Sequence, residues 1–209
     1  MKLHTTDRAP NPDRVKFFIR EKDIEDRISR VEVSIMEGHH HRPEFRALSP
    51  FGELPALELD DGTVLTESRA ICSYLESEYP KPNLMGETGK ERALVEMWDR
   101  RMEFRFLVPI AMWVRHGHPA VSQLEGEDAT PQWSAVNEKR VHNMAAWLSQ
   151  HLSSHRYIAG DRFTIADITA YVGCGFARLM KYDIIKEFAP VAEWAERLSK
   201  RPMLAEAVA

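Results

Sequence analysis

The stretch SPFGELPALELDDGTVLTESRAICSYL, residues 49–75, decides the fold. Leu54-Pro55-Ala56-Leu57-Glu58-Leu59 reads as a strand, Asp61-Gly62 as the pair that closes a tight hairpin, and Thr63-Val64-Leu65 as the return strand. Helical periodicity takes over from Glu67 to Tyr79, with Ala70, Ile71, Tyr74 and Leu75 on one face. A proline cannot donate to a central ladder, so Pro55 at the head of an inner strand needs a particular reason. Thr66-Glu67-Ser68 stands where a helix opens, and the N–H groups and positive end of a helix suit a carboxylate there. Ser68 adds a hydroxyl donor, and Glu67 can take an ammonium group. Together they suit an α-amino acid head, which carries both charges. The plainer alternative is capping, with Thr66 or Ser68 as the cap and Glu67 set against the helix dipole.

Toward the N-terminus, Met1 to Thr6 reads as a strand. Asn11-Pro12-Asp13 has the form of a helix start, with Asn11 as cap and Pro12 in the first turn. Val15, Phe18 and Ile19 give that helix its apolar face. Ile28 to Ile35 alternates as a strand, with Val31, Val33 and Ile35 on one side, and Arg42 to Leu48 is a short helix. The order β-α-β-α-β-β-α predicts an α/β domain over residues 1–79. Toward the C-terminus, the proline and glycine punctuation of residues 80–89 reads as a linker. Residues 90–209 then read as all-helical. Lys90 to about Arg115 forms one long helix. Pro131 to Leu152 forms another, with Trp133, Val136, Arg140, Met144, Trp147, Leu148 and Leu152 near helical spacing. Thr164 and Asp167 frame a capping box, stapled by Phe163 and Ile168. Pro190 to Lys200 is the last clear helix.

Totals narrow the function. The net charge is −4 over 209 residues. Residues 1–79 hold 11 Lys+Arg against 16 Asp+Glu, and the remainder 17 against 16. Nucleic acid is therefore not an expected partner, and an anion bound in the first half needs local groups. The two cysteines, Cys72 and Cys174, form no CxxC pair, so a reducing compartment is expected. No signal pattern and no membrane-spanning apolar run is seen, which makes the cytoplasm the expected location.

Residues 49–71 and the second anchor, Phe163 to Asp167, together resemble the glutathione transferase family in its soluble bacterial and plant branches. The likeness spans nearly the whole chain. It implies a thioredoxin-like domain followed by an all-α domain, with glutathione as co-substrate, no metal and a small hydrophobic electrophile as second substrate. It also implies a cis Leu54–Pro55 bond that turns the Leu54 backbone toward the cysteinyl part of glutathione. Glu67 and Ser68 would hold the γ-glutamyl head. His40 and His41 match positions near the glycyl carboxylate; the alternative for this His triplet is a solvated loop.

No cysteine stands at the first helix, so a thiolate must come from the ligand. Ala9 occupies the place where many relatives carry a catalytic serine. Asn11 matches an asparagine beside the sulfur in the Nu-type branch, although the threonine that accompanies it there is absent. Thr5 and Thr6 are further candidates. Arg101, Met102, Arg105, Phe106 and Trp113 are candidates for the second-substrate pocket. Phe51 resembles the family's dimer key, which implies a homodimer, with Arg69 pairing to Glu96 or Asp99. The rival readings are a glutathione-dependent disulfide or peroxide reductase, and a non-catalytic binding module that keeps the fold.

Overall fold

The computed structural model describes residues 1–204, without the side chain at position 125. The chain divides into two compact units. Of the described residues, the first comprises 1–83 and 201–204; the second runs from Leu84 to Lys200. The division falls inside the expected linker, but the tail does not stay with the helical unit. Its anchor is Glu21, whose carboxylate takes Arg201 Nε at 3.2 Å, Arg201 Nη2 at 2.7 Å and the Met203 N–H at 3.1 Å. Met203 is fully buried.

In the first unit, β1 (Lys2–Thr5), β2 (Ser29–Glu32), β3 (Ala56–Glu58) and β4 (Val64–Leu65) form one sheet in the order β2-β1-β3-β4. β1 runs parallel to β2 and antiparallel to β3, and β3 is antiparallel to β4. With α1 (Pro10–Glu21), α2 (Pro43–Arg46) and α3 (Ser68–Glu78), this is the thioredoxin-like arrangement. Leu3, Val15, Phe18, Ile19, Leu57, Ile71 and Leu75 are buried and form its core. Two local readings change. α3 buries Ser68, Ile71, Cys72 and Leu75, while Ala70 is exposed and Tyr74 half-buried. α1 begins at Pro10 with Ala9 as its cap, so Asn11 is the second helical residue and not the cap. Pro10 has the fixed φ that suits the first helical position, which starts the helix two residues early.

The second unit holds α4 (Gly89–Met102), α5 (Val108–Gly117), α6 (Pro119–Glu125), α7 (Pro131–Leu152), α8 (Ile165–Ala177), α9 (Ile184–Glu187) and α10 (Ala189–Ser199). The single helix expected from Lys90 is two helices joined by a π-turn at Glu103–Leu107. Pro109 explains the break, since it has no N–H for the Arg105 carbonyl and its ring crowds that oxygen. α7 has the expected ends but a different inner face. Ser134, Asn137, Val141, Ala145, Leu148 and Leu152 are buried, while Trp133, Val136 and Trp147 are about 40% exposed. Small residues let α5 and α7 pack closely: Ser134 Oγ donates to the Trp113 carbonyl at 3.0 Å, and a Cβ on Gly117 would lie 2.2 Å from that hydroxyl. Among the described residues, no helix is long and apolar enough to cross a membrane.

Candidate functional site

The N-termini of α1 and α3 meet. Ser68, first in α3 and 4% exposed, has its hydroxyl 3.4 Å from the Asn11 side-chain oxygen near the start of α1. The same hydroxyl accepts from Arg14 Nη1 at 3.1 Å. Glu67 caps α3 with φ 65° and ψ 112°, and no side chain caps that helix end. A non-glycine residue held there stores about 1–3 kcal/mol of strain, which folded proteins retain mainly at ligand sites. Glu67 itself is exposed.

The start of α1 is poor in backbone donors. Pro10 and Pro12 stand first and third in the helix, and the Asp13 N–H already bonds the Ala9 carbonyl at 3.0 Å. Only Ala9 and Asn11 retain an N–H in that opening stretch. The preceding loop is held by Lys16, which is nearly buried. Its ammonium donates to the Thr6 carbonyl at 3.0 Å and to Asp7 at 2.7 Å, and pairs with Asp13 at 2.9 Å. The Lys16 contact lowers the Asp7 pKa, whereas burial raises that of Asp13. Thr6 and Thr5 are both buried, and the Thr5 hydroxyl has no hydrogen-bond partner among the described residues.

The Leu54–Pro55 bond is cis, and both residues precede β3, so the Leu54 backbone lies outside the ladder. The loop before it is pinned by Ser49, whose hydroxyl donates to the Glu53 carbonyl at 2.9 Å and accepts the Glu53 N–H at 3.1 Å. Phe51 on this loop is 82% exposed. Gly52 has φ +69°, and a Cβ there would meet the His40 carbonyl at 2.7 Å. Glycine is thus what lets the histidine turn approach the loop before Pro55. His39–His41 form a single 3-10 turn, with the His40 and His41 rings 3.8 Å apart. Arg46 lies 3.4 Å from His41 Nδ1. Burial, followed by the neighbouring His41, holds the His40 pKa below its ordinary value.

Neither cysteine offers a nucleophile. Both are fully buried, and burial pushes the Cys174 pKa up to about 12. Of the second-substrate candidates, Met102, Phe106 and Trp113 are core residues. Arg101 and Arg105 line a cavity of about 300 Å³ with Met144 and Trp147, all within the second unit. Asp99 is also fully buried, held by the Thr169 hydroxyl at 2.5 Å, so it cannot pair with Arg69 on a surface.

Sequence reasoning passed over Arg14 and Lys16, and gave no individual role to Ser49 or Gly52. For Arg14 the signal was present: it lies four residues before Phe18, on the apolar face of α1, where a charge is anomalous.

Two family models match the chain. One is described as Glutathione S-transferase, N-terminal domain, and matches residues 9–78; the other, Glutathione S-transferase, C-terminal domain, matches residues 131–197. Glutathione S-transferase 2 of Saccharomyces cerevisiae is 31% identical over 203 residues, spanning 97% of this chain and 87% of that protein. Glutathione S-transferase 3 of Zea mays is 31% identical over 223 residues, spanning 100% and 93%. Among solved structures, a glutathione S-transferase domain-containing protein of Marinobacter aquaeolei has a TM-score of 0.92 at 35% identity, with 98% of this chain and 100% of that one covered. Gtt2 of Saccharomyces cerevisiae has a TM-score of 0.91 at 30% identity, with 98% of each covered. With models matched in both units and relatives this similar along nearly its whole length, the chain belongs to the glutathione S-transferase family.

Proposed function

We propose that this protein is a cytoplasmic, homodimeric glutathione transferase, which directs the thiolate of bound glutathione at a small hydrophobic electrophile. The observation that carries the reading is the meeting of two helix N-termini at Asn11 and Ser68. One end suits the γ-glutamyl carboxylate, and the other suits the sulfur. In this reading Glu67 takes the ammonium group, Ser68 the carboxylate, and the Leu54 backbone before Pro55 the cysteinyl peptide. His40 or His41 faces the glycyl carboxylate. Asn11 and the Thr6 end of β1 lie on the sulfur side.

Hydrogen bonds to charged groups contribute about 1.5–3 kcal/mol. Ser68→Ala and Glu67→Ala should each weaken glutathione binding by about tenfold or more in calorimetry. Unchanged affinity in both variants would place the head group elsewhere.

A cationic histidine opposite the glycyl carboxylate makes affinity depend on pH. His40 is shifted below its ordinary pKa of 6.5, so its charge is gained only as pH falls through that lower value. S-methylglutathione, with no ionisable thiol, should bind more tightly as pH drops below about 6.5, with little change above it. A flat titration with that ligand would assign the histidine turn to solvent.

The homodimer reading rests on two surfaces. Phe51 projects from the pinned loop of the first unit. In the second unit, Leu94, Phe104, Val108, Trp133, Val136 and Trp147 are each about 40–60% exposed on α4, the π-turn, α5 and α7. In this reading these side chains supply apolar area for a second copy to cover. Scattering at micromolar concentration should give twice 24.1 kDa, and Phe51→Ala should shift the protein toward monomer. A dimer that Phe51→Ala leaves intact would remove the key from the interface.

A further inference from the structure

Arg14 places a guanidinium beside Ser68 at the candidate site. Its side chain is 0% exposed, on the inward face of α1 beside Val15 and Phe18. Taking a guanidinium wholly out of water carries a large desolvation penalty, and an apolar side chain of similar size would often serve the core as well. Among its contacts, Arg14 donates to Ser68 Oγ at 3.1 Å, which no apolar side chain could do.

The consequence follows from hydrogen counting. A serine hydroxyl has one proton and two lone pairs, and a guanidinium only donates. Toward Arg14, Ser68 can only accept. Its single proton is left for another acceptor, and among the described residues that acceptor is Asn11 Oδ1, at 3.4 Å. Hydroxyl hydrogen bonds normally fall near 2.5–3.0 Å, so this one is weak and easily exchanged. We infer that Arg14 is a positioning residue that makes Ser68 an obligate donor, so that the start of α3 selects a carboxylate over a neutral amide. A bound carboxylate replaces Asn11 as acceptor of the Ser68 proton, which frees the Asn11 side chain on the sulfur side. Polarisation by the buried cation strengthens the Ser68 donor further. The inference rests on the reading of Ser68 as a ligand of the γ-glutamyl carboxylate.

The test is a cycle between protein and ligand variants. Calorimetry compares S-methylglutathione with its analogue bearing a primary carboxamide in place of the γ-glutamyl α-carboxylate. The wild type should prefer the carboxylate by about tenfold or more. Arg14→Met should reduce that preference to about threefold or less and leave the carboxamide analogue bound nearly as in the wild type. Arg14→Lys, which keeps a donor-only cation, should restore part of the preference. A purely structural role would instead weaken both ligands equally, and that result overturns the inference. So does a full preference retained in Arg14→Met while Ser68→Ala abolishes it, which would leave the site reading standing. If Ser68→Ala itself leaves the preference intact, the head group binds elsewhere and the inference falls with that reading. Should Arg14→Met fail to fold, Arg14→Gln gives the same comparison, because a glutamine can accept from Ser68 as well as donate to it. A full preference in Arg14→Gln then overturns the inference.

Discussion

Asp167→Ala should lower the unfolding free energy by about 3–5 kcal/mol, since it strands several buried donors at a cost of about 1–3 kcal/mol each. At this chain length that is a fall in melting temperature of roughly 6–20 °C, read by calorimetry or circular dichroism. The carboxylate is completely buried and joins three segments of the second unit. One oxygen accepts the Ile158 N–H at 2.9 Å and Trp194 Nε1 at 3.0 Å. The other accepts the Thr164 N–H at 2.9 Å and the Thr164 hydroxyl at 3.3 Å. Alanine would leave these donors buried without their acceptor. A fall of less than about 1 kcal/mol would show that the network forms without contributing to the fold.

The same residue carries a pH signature. Burial, only partly opposed by the four donors, raises the Asp167 pKa from 3.8 to about 6. A carboxyl whose folded pKa lies above its unfolded value binds its proton more tightly when folded. The destabilisation from holding it ionised is fully present above about pH 6 and is relieved as pH falls toward 3.8. From this group alone the protein gains stability on mild acidification, opposite to the usual behaviour of paired carboxylates. The difference in melting temperature between wild type and Asp167→Asn should therefore change between pH 7 and pH 5, with the wild type gaining. A constant difference would mean that Asp167 stays ionised throughout.

The legibility of this chain follows the range of each interaction. The Thr164–Asp167 box could be read because its partners lie three residues apart, and the hairpin at Asp61-Gly62 because its turn chemistry is local. Leu54-Pro55 and Thr66-Glu67-Ser68 stood out as local violations, a proline at an inner strand and three polar residues opening a helix. Other features depend on what meets a residue in space. The inner face of α7 is set by the close approach of α5, which selects Ser134 and Ala145 over Trp133 and Trp147. Apolar periodicity alone favours the larger side chains. The start of α1 was misjudged by two residues because Pro10 and Pro12 both suit a first turn, and only the fold chooses between them. Arg14 and Gly52 act through Ser68 and His40, which the sequence does not show as neighbours.

The start of α1 also decides between an enzyme and a relic. A thiolate beside it would find N–H groups only from Ala9 and Asn11, since Pro10 and Pro12 have none. Slow turnover with aryl halides is therefore expected in the wild type. Ala9 has φ −119° and ψ 136°, the extended backbone of a helix cap, with no side-chain hydrogen bond. A serine there can accept the Asn11 N–H through a lone pair in the ligand-free protein, and can donate its proton to the sulfur when glutathione is bound. Ala9→Ser should then do two separable things. The cap should add about 0.5–2 kcal/mol of stability. The new donor should raise conjugation by about 100-fold, the scale of one well-placed donor to an anion. It should also lower the pKa of bound glutathione, read by thiolate absorbance. Asn11→Ala should reduce activity with little change in melting, because Asn11 is not the cap. If Ala9→Ser raises the melting temperature alone, while bound glutathione keeps the thiol pKa it has in water, there is no thiolate activation to repair. The site would then be a glutathione-binding module, with the carboxylate clamp at Ser68 intact and the chemistry at the other helix lost.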